Sequence, residues 1–121
     1  MTPAVIVTVL LAGALGALAR YGVSRALATR PRFPWAVLLV NVVGSAIGGI
    51  VLGLAEAGAV SPEWRLILLT GFCGGLTTFS TFSVETVQLV LDGRGRAAIV
   101  SVGANLVLGI AAAAIGYLIA R

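Results

Sequence analysis

The chain has no histidine, one cysteine and four acidic residues among 121, and charged residues make up only 10% of it. Each shortage excludes something. Without histidine, the usual proton shuttle near neutral pH and the commonest metal ligand are missing. One cysteine rules out a disulfide within the chain, and Cys73 reads as a small packing residue. No paired carboxylates and no nucleophile with a base stand at a plausible spacing, which argues against an enzyme. The formal charge of +4 comes entirely from arginines placed at the ends of apolar segments. That pattern suits anionic lipid headgroups and not nucleic acid.

What is abundant is apolar: 60% of the residues are hydrophobic, outside the range of soluble domains and typical of an integral membrane protein. The runs predict four transmembrane helices, at roughly 4–26, 34–54, 66–91 and 97–119. Short connections join them, so the expected fold is an all-α membrane protein, one four-helix domain over residues 1–121. Ala17-Leu18-Ala19 looks like a signal-peptide cleavage site, but no basic residue precedes the first run and three spans follow, so the run is expected to be retained. Trp35 and Trp64 mark membrane interfaces. Gly13, Gly16 and Ala17 in the first span, with Gly44-x-x-x-Gly48 and Gly49-x-x-x-Gly53 in the second, favour close helix packing. Arg25, Arg30, Arg32, Arg94 and Arg96 lie on one face with Arg20 close by, against Arg65 and Arg121 on the other; this bias places both termini outside.

The stretch Gly71 to Glu85, Gly-Phe-Cys-Gly-Gly-Leu-Thr-Thr-Phe-Ser-Thr-Phe-Ser-Val-Glu, sets glycine, hydroxyl, aromatic and acidic groups at membrane depth. Lipid offers these groups no water, so such a sequence is tolerable only against protein or a wet cavity. Paired Gly74 and Gly75 predict a break near the middle of the third helix. A break there frees carbonyls of Gly74, Leu76 or Thr77, and unwound carbonyls at mid-membrane hold small cations. In a two-fold dimer, two carbonyls from each chain make a four-oxygen site.

Beyond the break, Phe79 and Phe82 share one helix face, as Ser80 and Ser83 share the next. Phenylalanine ring edges are electropositive. A small, strongly hydrated anion fits two ring edges with donors such as Asn41, Ser80 and Ser83, and fluoride fits that description best. Plainer readings exist for each group. The phenylalanines suit core packing, the hydroxyls suit bonds to their own backbone, and Asn41 and Asn105 suit helix–helix glue contributing roughly 1 kcal/mol or less. Glu85 reads as an interfacial or arginine-paired carboxylate. Arg20 reads as either a snorkelling side chain or part of an anion vestibule.

Taken together, these residues resemble the Fluc family of fluoride channels. The resemblance runs the length of the chain and is carried by Gly71 to Glu85, by Gly-Ala-Leu-Ala-Arg-Tyr at Gly16 to Tyr21, and by Asn-Val-Val-Gly-Ser at Asn41 to Ser45. It implies an antiparallel dimer with two pores and a central structural sodium ion, held by the Gly74 and Thr77 carbonyls and not transported. It further implies Phe79 and Phe82 as pore aromatics, Asn41 as a pore donor, Ser80 and Ser83 in a polar track, and Arg20 near the vestibule. The implied function is passive fluoride export across a bacterial plasma membrane: fluoride enters as the neutral acid, ionises in the cytoplasm and leaves through the channel. The six-to-two arginine bias departs from the balance expected of a homodimer inserted both ways, so a heterodimer with an oppositely oriented paralogue stands beside the homodimer. A proton-coupled four-helix exporter needs a titratable residue deep in the membrane, and the first span has none at its middle. A membrane scaffold predicts that replacing Phe79 and Phe82 alters association without altering any ion flux.

Overall fold

The computed structural model describes residues 1–28 and 33–121. Of the first connection, Arg30 and Arg32 lie outside the described residues, so their part in the arginine bias is a matter of sequence alone. The described residues form helix α1 (Pro3–Ala26), α2 (Trp35–Glu56), a short α3 (Pro62–Arg65) running into a π-helical segment (Leu66–Cys73), α4 (Gly74–Leu76), α5 (Phe79–Leu91) and α6 (Gly95–Ala120). Four stretches are long and apolar enough to cross a membrane: Pro3–Ala26, Trp35–Glu56, Pro62–Leu91 and Gly95–Ala120. At 1.5 Å per residue, even the 22 residues of α2 extend about 33 Å, enough for the hydrocarbon core.

Helix ends follow local chemistry. Pro62 begins the third span instead of breaking the chain before it. Proline at a first helical position lacks only an N–H that has no helical acceptor, and the Ser61 side chain accepts from the Trp64 amide at 3.3 Å. Gly58 and Gly93 close α2 and α5 with φ of 78° and 75°, the left-handed region that glycine enters without strain. At each, a pair of backward bonds catches the last carbonyls: Ala59 N to Leu54 O at 2.9 Å with Gly58 N to Ala55 O at 3.1 Å, and Arg94 N to Leu89 O at 2.8 Å with Gly93 N to Val90 O at 3.1 Å.

Packing rests on missing side chains. Gly49 and Gly53 of α2 ride on α6, where an added Cβ would lie 2.8 Å from the Ala113 carbonyl carbon and 2.7 Å from the Tyr117 carbonyl oxygen. Gly116 returns the fit, since its Cβ would sit 2.7 Å from the Ala46 carbonyl. The other ridge of α2 faces the third span: a Cβ on Gly44 would strike the Thr77 methyl, and one on Gly48 would come within 3.3 Å of Leu69. So the two overlapping glycine ridges serve two different neighbours. At the far end of the α2–α6 pair, the Tyr117 hydroxyl donates to the Glu56 carboxylate, and the Arg121 guanidinium lies 5.9 Å from the Tyr117 ring centre.

Candidate functional site: a splinted helix break beside a polar cleft

The third span breaks at Thr77 and Thr78, starting two residues past the glycine pair. Both threonines are extended, with φ/ψ of −86°/157° and −148°/122°, whereas Gly74 is helical at −61°/−38°. Gly75 serves the approach of α1 instead, while a Cβ on Gly74 would meet only the Leu69 carbonyl, at 3.9 Å. A Cβ on Gly75 would lie 2.9 Å from the Gly13 carbonyl carbon, and one on Gly16 would lie 2.8 Å from the Leu76 amide nitrogen. Glycine at this depth therefore answers a packing demand, and the break falls where side chains can replace lost backbone bonds.

Those replacements come from three elements. Asn41 of α2 spans both backbone groups of Thr78: its Oδ1 accepts from the Thr78 amide at 2.9 Å, and its Nδ2 donates to the Thr78 carbonyl at 3.2 Å. Arg20 of α1 donates from Nε to the Gly75 carbonyl at 3.1 Å. Thr77 turns its hydroxyl back to the Cys73 carbonyl at 2.9 Å. Thr78 caps the restarted helix, its Oγ1 accepting from the Thr81 amide at 3.2 Å. The Asn41, Arg20 and Thr78 bonds each stand in for a helical bond that the break removes, as apolar surroundings demand, whereas the Cys73 carbonyl keeps its helical partner, the Thr77 amide at 3.0 Å, and takes the Thr77 hydroxyl in addition.

The splint has a consequence for Gly74. In an unbroken helix the Thr78 amide would serve the Gly74 carbonyl four residues back; here that amide goes to Asn41. The oxygens collected around the break are carbonyls and hydroxyls, hard ligands that suit sodium-like cations rather than softer transition metals.

A cleft of about 300 Å³ opens next to the break, lined by Asn41, Ser45, Thr77, Thr78, Phe79, Phe82, Asn105 and Leu106. The rings of Phe79 and Phe82 are 5.9 Å apart between centroids and inclined at 48°. Phe79 is 78% exposed, so it takes no part in the core of its own chain, and the cleft is open along that side. Asn41 reaches Asn105 of α6, its Nδ2 donating to Asn105 Oδ1 at 3.1 Å, while Asn105 Nδ2 donates to the Ser101 carbonyl at 2.8 Å.

Of the residues that the sequence suggested, the structure brings Asn41, Phe79, Phe82 and Thr77 to this cleft and leaves Ser80, Ser83 and Arg20 off its wall. Ser83 donates back to the Phe79 carbonyl at 2.9 Å, the local bond that hydroxyls in apolar helices often make. Ser80 Oγ lies 3.3 Å from Thr78 Oγ1. Glu85 lines a second cleft, about 350 Å³, together with Trp35, Thr81, Gln88 and Arg94. Sequence reasoning undervalued Asn105, whose meeting with Asn41 spans 64 residues. It also missed Thr78, although a threonine just before a restarted helix is a recognisable cap.

Fold and site together define a multi-pass cell membrane protein built around an interrupted helix and a polar cleft flanked by aromatic rings. A family model described as CrcB-like protein, Camphor Resistance (CrcB), matches residues 7–117, and the chain belongs to that family. It is 47% identical over 113 residues to a protein of Pyrococcus abyssi named fluoride-specific ion channel FluC, covering 93% of this chain and 92% of that one. Proteins bearing the same name are 41% identical in Pyrococcus horikoshii, over 100% of this chain and 99% of that one, and 44% identical in Renibacterium salmoninarum, over 96% and 98%.

Proposed function

We propose that the chain is a fluoride-specific channel that lets fluoride leave the cytoplasm passively and so limits its toxicity. The observation that carries this reading is the cleft in which an exposed Phe79–Phe82 pair meets the Asn41–Asn105 amides, in a chain similar end to end to proteins named for that activity. Fluoride is small and holds water tightly, so passage requires ring edges and fixed donors that replace hydration. Phe79, Phe82 and Asn41 meet the ion at the cleft, Ser80 and Ser83 continue the path beyond its wall, and Arg20 stands at its approach. The chain does no covalent chemistry and works as a channel, not an enzyme.

The open side of the cleft argues for a second chain. An antiparallel dimer, of identical chains or with an oppositely oriented paralogue, covers Phe79 and closes the path. The Gly74 and Thr77 carbonyls of each chain would hold a structural sodium ion between the two breaks. The ion would supply positive charge there, and this chain's part is to leave those carbonyls without their helical donors, since the Thr78 amide goes to Asn41 and the Thr81 amide to the Thr78 hydroxyl.

The test uses purified chain in liposomes loaded with potassium fluoride, a fluoride electrode outside, and valinomycin added to release the counter-charge. Fluoride efflux without chloride efflux supports the reading. A folded chain that releases neither ion, alone or with an oppositely oriented paralogue, defeats it.

A further inference from the structure

A cleft of about 410 Å³ opens at the start of α6, lined by Phe33, Arg94, Arg96, Ala97 and Val100. It shares no lining residue with the cleft beside the helix break. Its depth in the bilayer follows from helix length. The 26 residues of α6 extend about 39 Å, against about 30 Å of hydrocarbon, so the Arg94 end stands at headgroup level. The neighbouring aromatics agree, since Phe33 and Trp35 lie 4.7 Å apart between ring centroids, as residues of an interfacial belt do.

The chemistry of this cleft changes along the membrane normal. Arg94 and Arg96 bring two permanent positive charges to its mouth, while Ala97, Val100 and the Phe33 ring form an apolar wall. Val100 lies about 6 Å further along the axis than Arg96 and is 53% exposed. Glu85 and Asp92 line the neighbouring cleft, which Arg94 shares and Arg96 does not; neither carboxylate lines this one. A soluble anion would have no use for the apolar wall. A wholly apolar occupant would leave two guanidinium groups without a counter-charge, and the ammonium of a zwitterionic headgroup would meet them at close range. A phosphate on an acyl chain, with no cation of its own, suits both ends, and guanidinium forks match its oxygens.

We propose that this cleft binds one anionic phospholipid, whose phosphate lies between Arg94 and Arg96 and whose acyl chain runs down Ala97 and Val100 against Phe33. The lipid bridges the start of α6 and the residues that lead into α2. This site rests on the membrane placement of the chain and not on the channel reading.

Native mass spectrometry of the full chain in detergent tests it, with palmitoyl-oleoyl phosphatidylglycerol and palmitoyl-oleoyl phosphatidylcholine added in equal amounts. Phosphatidylglycerol is expected to be retained over phosphatidylcholine by roughly tenfold or more. The preference should nearly vanish in the Arg94→Gln, Arg96→Gln double variant and persist in Arg65→Gln, at the opposite end of the third span. Ala97→Phe keeps both arginines but fills the apolar part, and it should lose the preference too; undiminished retention there would mean surface attraction without a site and would overturn the proposal. Displacement of the lipid by glycerol phosphate would mean a soluble-anion site and overturn it equally. The chain's two tryptophans give a second measurement that leaves the cleft unaltered. In vesicles, Trp64→Phe makes Trp35 the only emitter, and acyl-brominated phosphatidylglycerol should quench it about twofold more than equally brominated phosphatidylcholine at the same mole fraction. The Trp35→Phe form, reporting from Trp64, should show no such difference. Equal quenching of Trp35 by both lipids, or quenching by neither because a second copy of the chain covers the cleft, refutes the assignment.

Discussion

Replacing Asn41 by alanine separates a splint from ordinary helix glue. The side chain makes three hydrogen bonds, at 2.9 and 3.2 Å to the two backbone groups of Thr78 and at 3.1 Å to Asn105. Leaving a sequestered backbone donor or acceptor without a partner costs about 1–3 kcal/mol. Asn41 is only half-buried and the cleft admits water, so the lower end applies, about 1 kcal/mol for each Thr78 group. Together with the Asn105 bond, the expected loss is about 2–3 kcal/mol, against roughly 0.6 kcal/mol for an average polar contact between membrane helices. The assay is reversible unfolding in detergent by denaturant titration, comparing Asn41→Ala with Asn41→Asp. The aspartate still accepts from the Thr78 amide, and about half of the loss should return. Asn41→Ala within 0.5 kcal/mol of wild type refutes the splint.

Four further outcomes rest on the same geometry. Gly75→Ala drives a methyl into the Gly13 backbone and should cost about 1–3 kcal/mol as overpacking. Gly103→Ala, whose Cβ meets nothing within 4 Å in helix α6, should be neutral or stabilising by up to about 1 kcal/mol, so denaturant midpoints should move in opposite directions. With sodium at the proposed dimer site, replacing it by choline should lower the thermal midpoint of the wild-type protein, and the shift should shrink in Asn41→Ala, where the Thr78 amide is released to recapture the Gly74 carbonyl; equal shifts in both would count against a cation at these carbonyls. Phe79→Ala should leave unfolding within about 1 kcal/mol of wild type in the monomeric chain because the ring is 78% exposed, yet weaken dimerisation measured by dilution.

The spans were legible because lipid demands long apolar runs, and the arginines, tryptophans and glycine turns punctuate them. Where the third helix breaks was less so. Glycine can open a helix or let another helix approach, and sequence does not distinguish the two uses: Gly75 proves to be pressed against Gly13, while Thr77 and Thr78 carry the break. Thr78 held a readable clue in its capping hydroxyl. Arg20 and Asn41 held none, because their partners lie 55 and 37 residues away, and a polar side chain's role in a membrane depends on which backbone groups need it. Asn105 looked like glue from its position alone. Only the direction of the Thr78 peptide, relayed through Asn41, fixes which end of its amide turns to the Ser101 carbonyl.

The most direct test of the account is fluoride efflux from liposomes containing the purified wild-type chain, measured beside Phe79→Ala and Phe82→Ala forms of equal fold and dimer content. The account predicts rapid efflux of fluoride from the wild type, none of chloride, and loss of fluoride efflux in both variants. Equal release of fluoride and chloride, or undiminished fluoride efflux from both variants, would contradict it.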